Sequence, residues 1–280
     1  MPYWHRLCDP KYTGGGMPCQ IRPDIVVSHH LRRVNGGICY NSPVRWQSLH
    51  SWNVSPQAAK EIQGRLASRV SRQNDLAGEP RYVAGLDLSP EDREGKVRGA
   101  VVVMQYPELR VVEVKWAELN SSFPYVPGLL AFREMPPLLA ALEKLVLTPD
   151  LFLVDGQGIA HPRRFGIASH LGLLLDTPTI GCAKSILRGK HGPLPDPAGS
   201  WVPLLDGEVV VGAAVRTRAG VTPMYVSIGH KVDLAGAIAW TIACCRGFRL
   251  PEPTRLAHQA AAGRLLPQEP TVATRQEHLL

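Results

Sequence analysis

Residues 151–189 read LFLVDGQGIAHPRRFGIASHLGLLLDTPTIGCAKSILRG, and this stretch decides the fold. The apolar run 151–154 leads directly into Asp155 and a glycine-rich turn, which predicts a buried strand that ends in a carboxylate. Apolar residues at helical spacing follow, and the run 179–183 predicts a second strand that ends at Lys184. Ligands bind at the carboxyl ends of strands in open α/β sheets. The stretch therefore predicts a carboxylate and a cation at neighbouring strand ends.

Three β-rich runs precede this stretch, over 82–88, 96–105 and 109–117. Short links join them, which favours antiparallel pairing. A helix predicted over 129–146 separates them from the strand at 151–154, and crossovers of this length favour parallel pairing. The order predicts an α/β fold with a ribonuclease-H-like mixed sheet, in which three antiparallel strands are followed by parallel strands and helices flank the sheet.

The chain divides into three segments by composition. Residues 1–48 are rich in Gly, Pro, Asn and Arg without sustained periodicity, which predicts a basic extension with little structure. Residues 49–266 carry the helical and strand patterns and predict one folded domain. Residues 267–280 predict a flexible tail. The further elements predicted inside the domain are an amphipathic helix near 56–70, strands over 207–217 and 224–228, and helices over 234–245 and 253–266.

The composition of the chain limits the classes of protein to which it can belong. The chain is 45% apolar, which suffices for a sizeable core, and its net charge of +7 favours polyanionic partners. The six cysteines include no CxxC pair, which indicates reduced structural thiols in an intracellular protein rather than a zinc site. No apolar run is long enough to span a membrane, and the N-terminus has no secretory signal pattern. We therefore expect a cytoplasmic protein with no membrane partner.

Three carboxylate residues lie at positions where they could bind a metal or take part in catalysis. Asp87 lies inside an apolar strand, where a charge is costly unless it is paired or bound to a cation, although an aspartate that caps the following turn is the simpler reading. Glu134 lies in the first turns of a helix, where it could also be an ordinary solvated residue. Together with Asp155 they would repel one another unless a cation such as Mg²⁺ neutralised them. The set therefore predicts a magnesium site that activates water.

Cationic residues follow the same strand ends. Lys184 could hold a phosphate or stabilise negative charge on phosphorus, or it could be an exposed lysine. His161, Arg163 and Arg164 form a short cluster that could contact a nucleic-acid backbone, or a merely solvated basic loop. Nothing local to the last helix indicates a role for His258. Lys184 and the basic cluster at 161–164 therefore predict phosphate contacts beside the carboxylates.

A rigid loop lies between the antiparallel strands and the next helix. Its residues are Pro124, Tyr125, Val126, Pro127 and Gly128, and the two prolines bracket an apolar pair in a turn-forming context. A stiff apolar projection of this kind can wedge between stacked bases. The alternative is a loop that packs its tyrosine onto the sheet.

The motifs together resemble the endonuclease V family. The match covers about residues 49–265, and the run DGQGIAHPRR at 155–164 with PYVPG at 124–128 is specific. The first 48 residues match nothing in the family, and no function is assigned to them. The motifs that carry the resemblance occur in the family's order and at similar spacing over 82–89, 124–134, 154–164, 167–175, 178–185 and 251–258.

The resemblance implies a ribonuclease-H-like fold and a hydrolase of deaminated nucleic acid. It implies Mg²⁺-dependent cleavage, with Mn²⁺ able to substitute, one nucleotide to the 3′ side of hypoxanthine. By position, Asp87, Glu134 and Asp155 would hold the metal and serve catalysis. His258 and Lys184 would assist at the scissile phosphate.

The resemblance also implies a pocket for the damaged base and a wedge led by Tyr125. Hypoxanthine keeps the O6 and N7 acceptors of guanine but lacks its exocyclic amino group, so backbone N–H donors could accept it. Gly128, Gly156 and Gly181 are the expected walls of that pocket. Extruding the base costs about a few kcal/mol, and less at a mismatch.

Three functions remain open at this point. The first is a DNA-repair endonuclease that nicks at deoxyinosine, which we expect to act as a monomer. The second is an inosine-specific endoribonuclease on the same fold, because the two substrates differ only in how the 2′-hydroxyl is accommodated. The third is a non-catalytic, structure-selective nucleic-acid-binding protein, against which the carboxylates argue.

Overall fold

A computed structural model describes residues 44–76, 78–121 and 123–270. Within these residues the predicted elements occur in the order expected from the sequence, together with one further strand. The strands are β1 (Tyr82–Leu88), β2 (Lys96–Gln105), β3 (Arg110–Asn120), β4 (Leu151–Val154), β5 (Thr179–Ala183), β6 (Trp201–Asp206), β7 (Val209–Val215) and β8 (Met224–His230). The helices are α1 (Pro56–Ala67), α2 (Leu130–Leu142), α3 (Ile167–Leu175), α4 (Leu234–Ala243) and α5 (Glu252–Ala261).

The strands form one mixed sheet in the order β3-β2-β1-β4-β5-β8-β7-β6. Strands β1, β2 and β3 pair antiparallel, and β4 and β5 continue the sheet parallel to β1. The predicted α/β fold with its mixed sheet is therefore confirmed. Beyond β5 the sheet returns to antiparallel pairing through β8, β7 and β6.

Several elements differ from the sequence prediction, and the largest boundary difference is that α5 ends at Ala261 rather than at residue 266. Strand β6 is not predicted at all, because it contains Pro203 and exposes alternate residues at the edge of the sheet. Helix α2 ends at Leu142 rather than Val146, since the chain leaves the helical path in a turn after that residue. Strand β3 extends to Asn120 because it stays paired with β2 as far as Lys96.

The core lies on both faces of the sheet. In β1, Val83 packs with one buried cluster and Ala84 with another, as expected when successive side chains point to opposite faces. Helices α2 and α3 supply most of the helical residues of one cluster. Helices α1, α4 and α5 supply most of those of the other, to which α2 adds Phe132 and α3 adds Leu173. The central strands are therefore covered on both sides, which explains their continuous apolar runs.

Helix α5 begins in direct backbone contact with β1. A Cβ atom added to Gly85 would lie 1.9 Å from the carbonyl oxygen of Pro253 and 2.6 Å from the amide nitrogen of Thr254. No side chain larger than hydrogen fits there without moving the helix. The glycine in β1 thus sets how closely the last helix approaches the sheet.

The two ends of the described chain are attached to the domain. Val44 is buried, and the amide of Gln47 donates to the carbonyl of Leu174 at 2.8 Å. Gln268 pairs with Val114 of β3. Residues 1–43 of the predicted extension and 271–280 of the predicted tail lie outside the described residues. No helix in the described part of the chain is long and apolar enough to cross a membrane.

Candidate active site

Four of the residues singled out in the sequence meet at the carboxyl ends of β1, β4 and β5. Asp87 lies near the end of β1 and is 8% exposed. Its Oδ2 is 2.7 Å from His258 Nδ1 of α5 and 3.8 Å from Lys184 Nζ, and its Oδ1 accepts the amide of Leu88 at 2.8 Å. Lys184 also forms an ion pair with Asp155 Oδ2. One ammonium group therefore lies against two carboxylates.

The carboxylates repel one another at this position. Burial, and then the charge of Asp87, raise the pKa of Asp155 to about 6, against the opposing effect of Lys184. Burial, followed by the charges of Asp87 and Asp155, raises the pKa of Glu134 from its ordinary value of 4.5 to about 8. Helix α2 thus places Glu134 close enough for the charges of both aspartates to affect its ionisation. The site holds more negative charge than Lys184 alone can balance.

This donor set suits a divalent cation. Mg²⁺ and Mn²⁺ bind carboxylate oxygens, and Asp155 Oδ2 is buried with an ion pair to Lys184 but no hydrogen bond of regular geometry. Among the described residues no group of three or more His, Cys, Asp or Glu side chains is arranged so that it could already hold a metal ion. The burial of Asp155 beside Asp87 and the raised pKa of Glu134 nevertheless both indicate a place where added positive charge is stabilising. The residues therefore fit a metal of this class.

The raised pKa of Glu134 predicts a pH-dependent cost to folding in the absence of metal. The folded protein holds this proton up to about pH 8, whereas the unfolded chain releases it near pH 4.5, so the free energy of unfolding falls across that interval. A Glu134→Gln variant should match the wild type near pH 5 and be more stable near pH 8, on the order of 4 kcal/mol.

The measurement is thermal unfolding in a chelator across that pH range. Glu79→Gln, at an exposed glutamate, is the control and should leave the profile unchanged. A Glu134→Gln profile parallel to that of the wild type would contradict the assignment.

The proline-bracketed loop projects from the protein directly before α2. The side chain of Tyr125 is 72% exposed, which excludes the alternative that it packs onto the sheet. Pro124 and Pro127 are exposed beside it, and Val126 packs partly against the core. The loop therefore presents an aromatic ring on a short, stiff base.

The basic cluster after the glycine turn makes contacts within the protein. His161 Nε2 donates to the carbonyl of Gly128 at 2.9 Å, and Arg163 donates to the same oxygen at 2.6 Å. Burial and the neighbouring Arg163 lower the pKa of His161 to about 4, so this ring is neutral at pH 7. Arg164 pairs with Asp206 at 2.6 Å. Two of the residues expected to contact nucleic acid thus hold the projecting loop, and the third is paired with an aspartate.

The glycines expected to line a pocket are required by close packing. A Cβ on Gly181 would lie 2.4 Å from the amide nitrogen of Gly158 and 2.8 Å from the carbonyl oxygen of Gly156. A Cβ on Gly156 would meet Ile167 Cγ2 at 2.5 Å, and Gly128 has φ +78°. The glycine turn therefore lies directly on the backbone of β5, where small residues allow close approach.

Arg249 is a site residue that the sequence does not reveal. Its Nη2 donates to the carbonyl of Lys184 at 2.6 Å and to that of Pro223 at 3.0 Å. It thereby holds the backbone that presents the Lys184 ammonium. No motif or spacing identifies it, because it reaches the site from 65 positions away in the chain.

Comparisons with known proteins identify the family of this chain. The family model described as Endonuclease V matches residues 64–259. Endonuclease V of Gloeobacter violaceus is 54% identical over 221 residues, which span 78% of this chain and 89% of that protein.

Solved structures of endonuclease V are also similar to this chain. The crystal structure of Endonuclease V from Streptomyces avermitilis has a TM-score of 0.71 and 44% identity, and the match covers 76% of this chain and 94% of that one. Endonuclease V of Ciona intestinalis, in complex with a DNA 24mer containing an inosine followed by a ribo-adenosine, has a TM-score of 0.65 and 31% identity, covering 74% and 96%. The chain belongs to the endonuclease V family and is a nuclease.

Proposed function

We propose that this protein nicks DNA at deoxyinosine, the product of adenine deamination, and hydrolyses the phosphodiester bond one nucleotide to the 3′ side of the lesion. The observation that carries the proposal is the convergence of Asp87, Asp155, Lys184 and His258 at one end of the sheet. The Ciona intestinalis relative bound to inosine-containing DNA supports the choice of substrate.

The carboxylates of Asp87, Asp155 and Glu134 would hold Mg²⁺ or Mn²⁺. A metal ion bound there would lower the pKa of water and offset charge on the reacting phosphate. The ammonium group of Lys184 stabilises the negative charge that develops on phosphorus. His258 is half-exposed, and because its Nδ1 faces Asp87, its Nε2 points away and can exchange a proton at the leaving oxygen.

Lesion recognition requires the base to leave the duplex. The exposed ring of Tyr125, carried between Pro124 and Pro127, can fill the space that the base vacates. Backbone N–H groups near Gly156 are suited to the O6 and N7 acceptors of hypoxanthine. Guanine would be refused for lack of room for its amino group. All of these groups come from one chain, so we propose that the protein acts as a monomer.

Cleavage at inosine in RNA is the second candidate. The DNA bound to the Ciona intestinalis relative carries a ribonucleotide directly after the inosine, which shows that this relative accommodates a 2′-hydroxyl there. A non-catalytic binding protein is the weaker reading. It would have no use for three carboxylates beside a polyanion, since their charge opposes binding.

The test is incubation of end-labelled duplexes that contain one deoxyinosine or one riboinosine, with Mg²⁺, with Mn²⁺ and with a chelator. We expect a single nick one nucleotide 3′ to deoxyinosine that requires the metal, and none in the matched adenine duplex. Faster cleavage of the riboinosine strand would transfer the proposal to RNA. Absence of metal-dependent nicking in both duplexes would refute it.

A further inference from the structure

A buried glutamine on α1 is connected to the projecting loop through an arginine. Gln63 is 1% exposed, and its Oε1 accepts a hydrogen bond from Arg163 Nε at 2.5 Å. Its Nε2 donates to the carbonyl of Phe165 at 3.2 Å. Arg163 in turn donates from Nη2 to the carbonyl of Gly128. A continuous set of hydrogen bonds thus runs from α1 to the base of the loop.

The position of this glutamine is unusual for its helix. Its neighbours on the buried face of α1 are Ala59, Ile62 and Leu66, which are all apolar. A buried amide is costly unless both of its ends are hydrogen-bonded, and here both are. The amide of Gln63 therefore contributes a hydrogen bond rather than apolar packing in the core. The geometry identifies Arg163 as the residue that it binds.

The guanidinium of Arg163 is held at two edges. The Nε edge is bonded to Gln63, so the planar group is oriented before Nη2 reaches Gly128. Gly128 ends the proline-bracketed loop and has φ +78°, a conformation that fixes the direction in which the chain leaves the loop. The orientation of Tyr125 relative to the sheet therefore depends on this carbonyl.

We propose that Gln63 is a positioning residue for the loop at 124–128, acting through Arg163 on the Gly128 carbonyl. This inference rests on the proposed function, in which the loop supports base extrusion. The loop is needed when a base must leave a stacked duplex, and it has little to do when the strand is single. The contribution of Gln63 should therefore be confined to duplex substrate.

The test compares Gln63→Leu, which keeps the size of the side chain and removes both hydrogen bonds, with the wild type. We expect kcat/KM on a deoxyinosine duplex to fall about tenfold, and kcat/KM on the single strand to change by less than about twofold. Tyr125→Ala should show the same selective loss. Gln63→Glu keeps an acceptor for Arg163 and should retain most of the duplex activity.

Ile62→Val is the matched control, because it weakens the same helix without touching Arg163. It should lower both activities equally or not at all. An equal loss on duplex and single strand in Gln63→Leu would reduce Gln63 to a structural role and overturn the proposal, as would no loss on either.

A second measurement is independent of nuclease activity. Hydrogen exchange of a peptide spanning 123–129 should be faster in Gln63→Leu than in the wild type and unchanged in Ile62→Val. Unchanged exchange in Gln63→Leu would overturn the inference whatever the substrate proves to be. If the wild type nicks neither substrate while exchange still responds, the proposed function fails and the positioning role stands.

Discussion

Asp87→Asn is expected to lower the rate of nicking by about 10³-fold or more, because one carboxylate serves three purposes at once. Asp87 would supply a charge for the metal, and it accepts the His258 hydrogen at 2.7 Å and lies 3.8 Å from Lys184 Nζ. The amide keeps the shape of the side chain and removes the charge. The measurement is the single-turnover rate on the deoxyinosine duplex with saturating Mg²⁺.

Stability separates this loss from misfolding. The charge of Asp87 raises the pKa of both Asp155 and Glu134, so its removal relieves repulsion and should leave the melting temperature equal or higher. Asp75→Asn is the control, since it changes an exposed aspartate that lies 3.5 Å from Lys231 and contributes little. An Asp87→Asn protein that nicks within about tenfold of the wild-type rate would exclude Asp87 from the chemistry.

Gly85→Ala is expected to reduce the free energy of unfolding by about 3 kcal/mol or more, beyond the usual cost of overpacking. The added methyl group would lie 1.9 Å from the carbonyl oxygen of Pro253, and both partners are backbone, so no side chain can rotate away. Helix α5 must shift, and it carries His258. Urea denaturation measures the stability, and nicking should fall in the same variant.

Gly64→Ala is the matched control on an exposed helical surface. A Cβ there meets nothing within 4 Å, and alanine is the better helix former, so this variant should gain about 0.5–1 kcal/mol. If Gly85→Ala instead unfolds within about 1 kcal/mol of the wild type, α5 does not contact β1 as described.

The central sheet could be predicted from the sequence because its patterns are local. The apolar runs of β1, β2, β4 and β5 are bounded by turns, and their order limits the pairing. Strand β6 escaped prediction because it is an edge strand held by pairing with β7, and Pro203 removes a donor that a central strand would need. Strand β6 forms because β7 pairs with it in the sheet, and this pairing is not visible in the local sequence.

The residues of the candidate site could be predicted in part. The motifs around Asp87, Asp155 and Lys184 mark strand ends, and the resemblance to endonuclease V brought in His258, which no local pattern marks. The contacts of His161 and Arg163 with Gly128 could not be foreseen, because each joins segments more than 30 positions apart. The sequence shows that these residues are polar, but their partners are a tertiary property.

The pairing of Asp87 with His258 joins the first strand of the sheet to the last helix, across 171 positions of chain. A ribosome-bound polypeptide that has not yet released α5 lacks the histidine, and it also lacks the helix that packs on β1. Because domains fold as units, such a chain has no complete site. The Asp87–His258 pair therefore cannot form until α5 has been synthesised.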